Sequence, residues 1–144
     1  MVSLRHVGVV ITDVEKSLQF YRDTLGFKVH KMADESGEFL DSFLGIRGTK
    51  VKTIKMADVN NNILELLHFE SHPEKSDDNK AKSLTEIGCS HFALNVKQID
   101  SLYNTLTKQG IEFNHAPQVS PNGKVKVAFC RDPDGTFIEM VEEL

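Results

Sequence analysis

A glutamate stands in the middle of each of two apolar segments, and this feature constrains the chain most. Glu65 lies in Ile63-Leu64-Glu65-Leu66-Leu67, and Glu139 lies in Phe137-Ile138-Glu139-Met140-Val141. Both segments have the length and composition of a buried strand. Because an ionised carboxylate is costly to bury unless another group pairs with it, each glutamate predicts a partner close by.

The two segments close two copies of an internal repeat. Each copy reads as a strand, an amphipathic helix and three further strands, and the first strand of each copy opens near a histidine, His6 or His91. The stretch between the copies is polar and without periodicity, which is typical of a linker. We therefore predict one α+β domain, residues 1–144. Its two pseudo-symmetric βαβββ modules are 1–69 and 88–144, with a linker at 70–87.

Local signals place the elements within each copy. Thr12-Asp13-Val14-Glu15 has the capping-box pattern and predicts the start of the first helix, and Gly26 predicts its end. A short strand is predicted at 27–31 and a helical turn at 38–44. In the second copy a short strand is predicted at 111–113, after the helix.

Composition and charge exclude several classes of protein. With 144 residues, 40% hydrophobic and 26% charged, the chain is long enough to bury a core. The net charge is −4 and the basic residues are scattered, which argues against a nucleic acid partner. No apolar run reaches the roughly 20 residues that span a bilayer, and the first residues lack the pattern of a signal peptide. We expect no membrane partner and a cytoplasmic location.

The two cysteines do not predict a structural zinc or redox site. Cys89 and Cys130 are far apart in sequence and form no Cys-x-x-Cys motif. We expect both to be small buried hydrophobic residues.

Strand parity predicts where the histidines point. Side chains alternate between the faces of a strand, so His6 shares a face with Gly8, and His91 shares a face with Ala93. Gly8 and Ala93 are small, and each leaves open space beside its histidine.

Two histidines and two glutamates can therefore converge if the modules pack as pseudo-symmetric sheets: His6, Glu65, His91 and Glu139. One divalent metal ion would satisfy all four, since imidazole and carboxylate bind Zn²⁺, Ni²⁺ or Co²⁺ at about 2.0–2.2 Å. The alternative is a hydrogen-bonded histidine and a solvent-facing glutamate in each module. Four such residues at equivalent points of a repeat favour the metal site.

The other histidines are not expected to join this site. His68 has the opposite parity to Glu65, and an extended chain puts His72 about 13 Å from His68, too far to share an ion. His30 and His115 have no predicted partner and are expected at the surface.

Four segments resemble the vicinal-oxygen-chelate superfamily, which includes glyoxalase I, methylmalonyl-CoA epimerase, extradiol dioxygenases and fosfomycin- and bleomycin-resistance proteins. The segments are Arg5-His6-Val7-Gly8-Val9, Phe20–Phe27, Ser90-His91-Phe92-Ala93-Leu94 and Asp132–Glu139. The resemblance extends over essentially the whole chain. The resemblance implies paired βαβββ modules whose curved sheets form an open, barrel-like structure around the site, and it implies a homodimer.

The set of ligands distinguishes members of this superfamily. Its iron dioxygenases use two histidines and one carboxylate, which here match His6, His91 and Glu139, and its metal-free resistance proteins lack the set. Glyoxalase I has His, Glu, His and Glu, as this chain does, and the epimerase usually has Gln at the position of Glu65. Where glyoxalase I tends to carry a basic residue that helps to hold glutathione, this chain has Asp23.

The resemblance thus implies a metal-dependent lyase or isomerase, like glyoxalase I or the epimerase. Its cofactor would be Ni²⁺, Zn²⁺, Co²⁺ or Mn²⁺, and its substrate a small molecule with adjacent oxygens that reacts through a metal-bound enediolate. Glu139 or Glu65 would be the catalytic base, and the resemblance favours Glu139. The alternatives are a metal-free protein that binds a drug or metabolite and an Fe²⁺ dioxygenase. Whether one chain or two chains of a dimer complete the site stays open.

Overall fold

The computed structural model describes residues 1–72 and 83–144, and the chain divides into two compact units, Met1–Asp78 and Asn79–Leu144. No helix among these residues is long and apolar enough to cross a membrane. The predicted linker at 70–87 lies partly outside the described residues.

The first unit is a four-stranded mixed sheet with helices. Its strands lie in the order β1-β4-β3-β2, with β1 parallel to β4 and the other pairs antiparallel. Its elements are β1 (His6–Val10), α1 (Val14–Leu18) with a π-helical continuation (Gln19–Thr24), β2 (Lys28–Ser36), α2 (Glu38–Leu44), β3 (Lys50–Ala57) and β4 (Ile63–Phe69).

The second unit repeats this topology. Its strands lie in the order β5-β8-β7-β6, and the parallel pair is again made by the first and last strands. Its elements are β5 (His91–Asn95), α3 (Ile99–Lys108), β6 (Gln118–Val119), β7 (Val125–Arg131) and β8 (Phe137–Glu143). The predicted α+β class and the paired βαβββ modules are confirmed.

Each core lies between a helix and one face of its sheet. In the first unit Phe20, Tyr21 and Phe27 are buried, and the Tyr21 ring lies edge-on to both phenylalanines. In the second, Leu106 of α3 and Met140 of β8 are fully buried. Because alternate strand residues form these cores, the opposite face of each sheet carries the residues in between, which include both glutamates.

The start of the first helix differs from the sequence prediction, whereas Gly26, with a φ of 84°, follows the C-cap residue Leu25 as predicted. Asp13, not Thr12, is the N-cap, and its carboxylate accepts a hydrogen bond from the backbone amide of Lys16. The helix then widens, and the amide of Leu25 bonds to the carbonyl of Phe20, five residues back. This widening is where two consecutive aromatic residues, Phe20 and Tyr21, are both buried.

Three other predictions were wrong in detail. The strand predicted at 27–31 continues to Ser36 in β2. The strand predicted at 111–113 is reduced to an isolated bridge between Phe113 and Cys130, and β6 lies further along the chain. Cys89 is exposed, whereas Cys130 is buried as expected, and burial raises the pKa of the Cys130 thiol to about 12.

Asp41 ties α2 to the start of β3. Its carboxylate accepts hydrogen bonds from the backbone amides of Thr49, at 2.9 Å, and Gly48, at 2.7 Å. These bonds favour the ionised form and hold the pKa of Asp41 below its ordinary value.

Replacing Asp41 should therefore destabilise the fold in a pH-dependent way. A group with a lowered folded-state pKa adds stability above its unfolded pKa and loses it as pH falls through the folded value. We expect Asp41→Ala to lower the thermal midpoint at pH 7, and we expect its difference from the unmodified protein to begin to shrink only as the pH falls below about 4. Glu143→Ala, at an exposed carboxylate, is the control. An unchanged midpoint for Asp41→Ala at pH 7 would contradict this account.

Candidate functional site

The buried glutamate of the first unit has a histidine as its neighbour. In the parallel pair β1/β4, Gly8 lies opposite Glu65, and His6 precedes Gly8 by two residues on the same face. The Nε2 atom of His6 lies 3.1 Å from Oε2 of Glu65. Glu65 is only 8% exposed, so His6 is the partner that the buried carboxylate required.

The second unit repeats the arrangement. In the pair β5/β8, Ala93 lies opposite Glu139, and Nε2 of His91 lies 3.3 Å from Oε2 of Glu139. The two pairs differ in exposure: the Glu139 side chain is 28% exposed and the Glu65 side chain 11%.

A small residue stands beside each pair, as the sequence predicted. A Cβ atom added at Gly8 would meet only the side chain of Leu67, at 3.5 Å, which is an ordinary contact. The equivalent residue, Ala93, has such a Cβ. In both units, therefore, the residue that lies opposite the glutamate and shares a face with the histidine has a small side chain or none.

Two neighbours hold the ring of His91. The hydroxyl of Ser90 lies 2.6 Å from Nδ1 of His91, and the ring of Phe129 meets the imidazole edge-on at 4.9 Å between centroids. An ionised carboxylate only accepts hydrogen bonds, so the proximity of Glu139 favours a proton on Nε2, and Nδ1 then accepts from Ser90. If Nε2 gives its proton up to bind a metal, the hydroxyl accepts from Nδ1 instead.

The separation within each pair fits two adjacent ligands of one metal ion. Two donors about 2.1 Å from an ion and at right angles to each other lie about 3.0 Å apart. The observed 3.1 and 3.3 Å are close to this value. Within the described parts of the chain, no three His, Cys, Asp or Glu side chains are grouped to hold an ion. Each unit thus supplies two of the four predicted ligands, and their convergence on one ion stays a prediction.

The remaining histidines lie apart from these pairs. His68 pairs in register with Lys52, on the face opposite Glu65, as parity predicted. His30 and His115 are exposed.

Sequence reasoning missed Ser90 and Phe129. The serine directly before His91 was a possible signal, because a neighbouring hydroxyl can reach a ring nitrogen. Phe129 gave no signal, because its contact depends on the register between β7 and β8, in which it lies opposite Glu139.

Comparison with known proteins shows which family has this topology. The model of the glyoxalase/bleomycin resistance protein/dioxygenase superfamily matches residues 3–140. The chain belongs to this superfamily. It is 30% identical over 140 residues to a probable lactoylglutathione lyase from Synechocystis, covering 96% of this chain and 94% of that protein.

Two solved structures show the same fold. A glyoxalase family protein from Bacillus cereus has a TM-score of 0.89 at 21% identity, covering 100% of this chain and 95% of that one. A genomically encoded fosfomycin resistance protein from Listeria monocytogenes has a TM-score of 0.62 at 13% identity, covering 100% and 95%. At these identities the likeness concerns the fold alone.

Removing the Ser90 hydroxyl should loosen the control of the His91 ring. In the metal-free protein we expect Ser90→Ala to change the ¹⁵N shifts of His91 towards mixed tautomers, because Nδ1 loses its partner. Ser90→Thr keeps a hydroxyl and should keep the original shifts. His6 serves as the internal reference, since no serine adjoins it. Identical His91 shifts in Ser90→Ala and the unmodified protein would show that the contact does not set the tautomer.

Proposed function

We propose that the protein is a divalent-metal-dependent lyase or isomerase that moves a proton next to a carbonyl group of a small molecule. The observation that carries this proposal is the pair of His–Glu contacts at equivalent register positions of the two modules, at 3.1 and 3.3 Å. Family membership and the relative named a probable lactoylglutathione lyase support the same class of reaction.

His6, Glu65, His91 and Glu139 are the proposed ligands. When bound there, the ion would polarise two adjacent substrate oxygens and stabilise the enediolate that forms when the proton leaves. Two neutral imidazoles and two carboxylates are a donor set that Ni²⁺, Zn²⁺, Co²⁺ and Mn²⁺ all accept. The two negative charges of the carboxylates then offset the two positive charges of the ion.

Glu139 is the better candidate for the base. A base has to approach the carbon that gives up its proton, and the Glu139 side chain is more than twice as exposed as that of Glu65. Its carboxylate takes the proton and returns it to the neighbouring carbon in a glyoxalase-like reaction, or to the other face of the same carbon in an epimerase-like one. Glu65, more enclosed and beside His6, is suited to remain a ligand.

The surroundings of Asp23 bear on glutathione as a substrate. Arg22 Nε lies 2.7 Å from Asp23 Oδ1, and this hydrogen bond holds the pKa of Asp23 below its ordinary value. Arg22 is thus engaged by its own neighbour, and the position where glyoxalase I tends to carry a basic residue is a carboxylate. This favours an epimerase-like substrate over a glutathione adduct.

Metal content tests the ligand set. We expect the protein, after dialysis against Ni²⁺, Zn²⁺, Co²⁺ or Mn²⁺, to retain one ion per four-ligand set by elemental analysis. His6→Ala and His91→Ala should each lower the retained metal, whereas His30→Ala, at an exposed histidine, should not. Loss in only one of the first two variants would refute a shared ion. Stoichiometric iron in the purified protein would instead favour the dioxygenase, and absence of any bound metal would favour the binding protein.

Two isosteric variants test the division of roles between the glutamates. We expect metal-loaded Glu139→Gln to lose roughly 10²–10⁴-fold in turnover, because the amide cannot accept the proton. Glu65→Gln keeps one ligand oxygen and should lose metal affinity more than rate at saturating metal. Methylglyoxal with glutathione and methylmalonyl-CoA are the first substrates to assay. An active Glu139→Gln enzyme with metal bound would reverse the assignment.

A further inference from the structure

We propose that Lys55, with Lys31 beside it, binds an oxyanion group of the substrate, so that the substrate is a small acid and not a neutral dicarbonyl compound. The inference rests on the proposed function, because it assigns the substrate class of the same site. Its basis is the register of the first sheet and a difference between the two modules.

A row of four residues crosses the first sheet. In register, Lys31 of β2 lies opposite Lys55 of β3, Lys55 lies opposite Glu65 of β4, and Glu65 lies opposite Gly8 of β1. Residues opposite each other on neighbouring strands project from the same face. Lys55 therefore stands on the face of Glu65, with the Cα atoms about 4.5–5.5 Å apart as in any antiparallel pair.

Neither lysine forms an ion pair with a described residue. Like charges directly opposite each other on neighbouring strands destabilise a sheet. Lys31 is on the edge strand, where lysine is common as a guard against edge-to-edge pairing. Lys55 is on an inner strand and half-buried, and none of the described residues pairs with its ammonium group. By contrast, Lys52, on the other face of the same strand, pairs with Asp34.

The second module shows that the fold does not need a lysine at this point. Phe129 of β7 lies opposite Glu139 just as Lys55 lies opposite Glu65. Phe129 packs against His91, whereas the equivalent residue in the first module is a charged group. The two modules share the His–Glu pair but differ in the residue beside it, and an unpaired cation next to a proposed metal site indicates a ligand of opposite charge.

The chemistry of this ligand follows from its neighbours. A lysine ammonium has three donors and no acceptor, so it binds carboxylate or phosphate-type oxygens. Glu65 alone would repel such an anion, but as a metal ligand its charge is offset. A substrate that chelates the ion with two adjacent oxygens and carries an oxyanion a few bonds away would reach Lys55.

Three probes with one chelating group separate this inference from the function on which it rests. Acetohydroxamate presents two adjacent oxygens and no further charge, succinomonohydroxamate adds a carboxylate, and phosphonoacetohydroxamate adds a phosphonate. Their dissociation constants from the metal-loaded protein are measured by calorimetry. We expect one or both anionic probes to bind about tenfold or more tightly than acetohydroxamate, as a hydrogen bond between charged groups allows.

The variants then locate the charge. Lys55→Met keeps the apolar stem and should remove the preference for the anionic probe while acetohydroxamate binds as before. Lys55→Arg should retain the preference. Lys52→Met, on the opposite face, is the matched control and should change no constant.

Each outcome bears on a different statement. If acetohydroxamate does not bind, the proposed metal site fails and this inference fails with it. If acetohydroxamate binds but the anionic probes bind no more tightly, or keep their preference in Lys55→Met, this inference alone is wrong. A preference for succinomonohydroxamate identifies a carboxylic acid substrate, and a preference for phosphonoacetohydroxamate identifies a phosphorylated one.

Discussion

Pairing between the first and last strands of each module determines the rest of the site. The parallel pairs β1/β4 and β5/β8 put a residue from the start of a module beside one from its end, more than 40 residues later in the chain. A carboxylate placed in an apolar strand is tolerated because this pairing brings an imidazole within 3.1 or 3.3 Å of it. Without that pairing, each glutamate would be an unpartnered charge in a sheet, and His6 and His91 would lose their carboxylate partners.

The parts of the structure that alternation controls were predictable from sequence. A period of two assigns Glu65 and His68 to opposite faces without any knowledge of the fold, and the register of β3 and β4 confirms it. The internal repeat was equally informative, because two similar segments with glutamate at the same point predict the same strand position. The strands that contain Glu65 and Glu139 followed from these patterns, and the helical turn predicted at 38–44 is the helix α2.

Features set by distant residues were not predictable in this way. The amide groups of Gln98 and Ile99 at the start of α3 are capped by Glu142, more than 40 residues away, and no local pattern indicates this. The strand expected at 111–113 has apolar residues of the right kind but keeps only one bridge, since pairing depends on where β7 lies. Cys89 is exposed because it precedes β5, beyond the end of the sheet, although cysteine is usually buried.

Two modules with one topology leave the differences between them to be explained by function. Both modules keep the His–Glu pair and a small residue opposite the glutamate. The shared fold therefore does not explain why the surroundings of the two pairs differ. The first pair is the more enclosed and has a lysine next to it. The second pair is more open, and an aromatic ring and a hydroxyl contact its histidine.

A more open carboxylate beside an imidazole whose orientation is held by its neighbours suits proton transfer, because the base is accessible to the substrate. An enclosed carboxylate beside a cation suits binding, because low exposure strengthens its interaction with an ion and the lysine offers charge to an acidic substrate. Under the proposed function, one repeated sequence pattern would thus supply both the metal ligands and the different roles of the two glutamates.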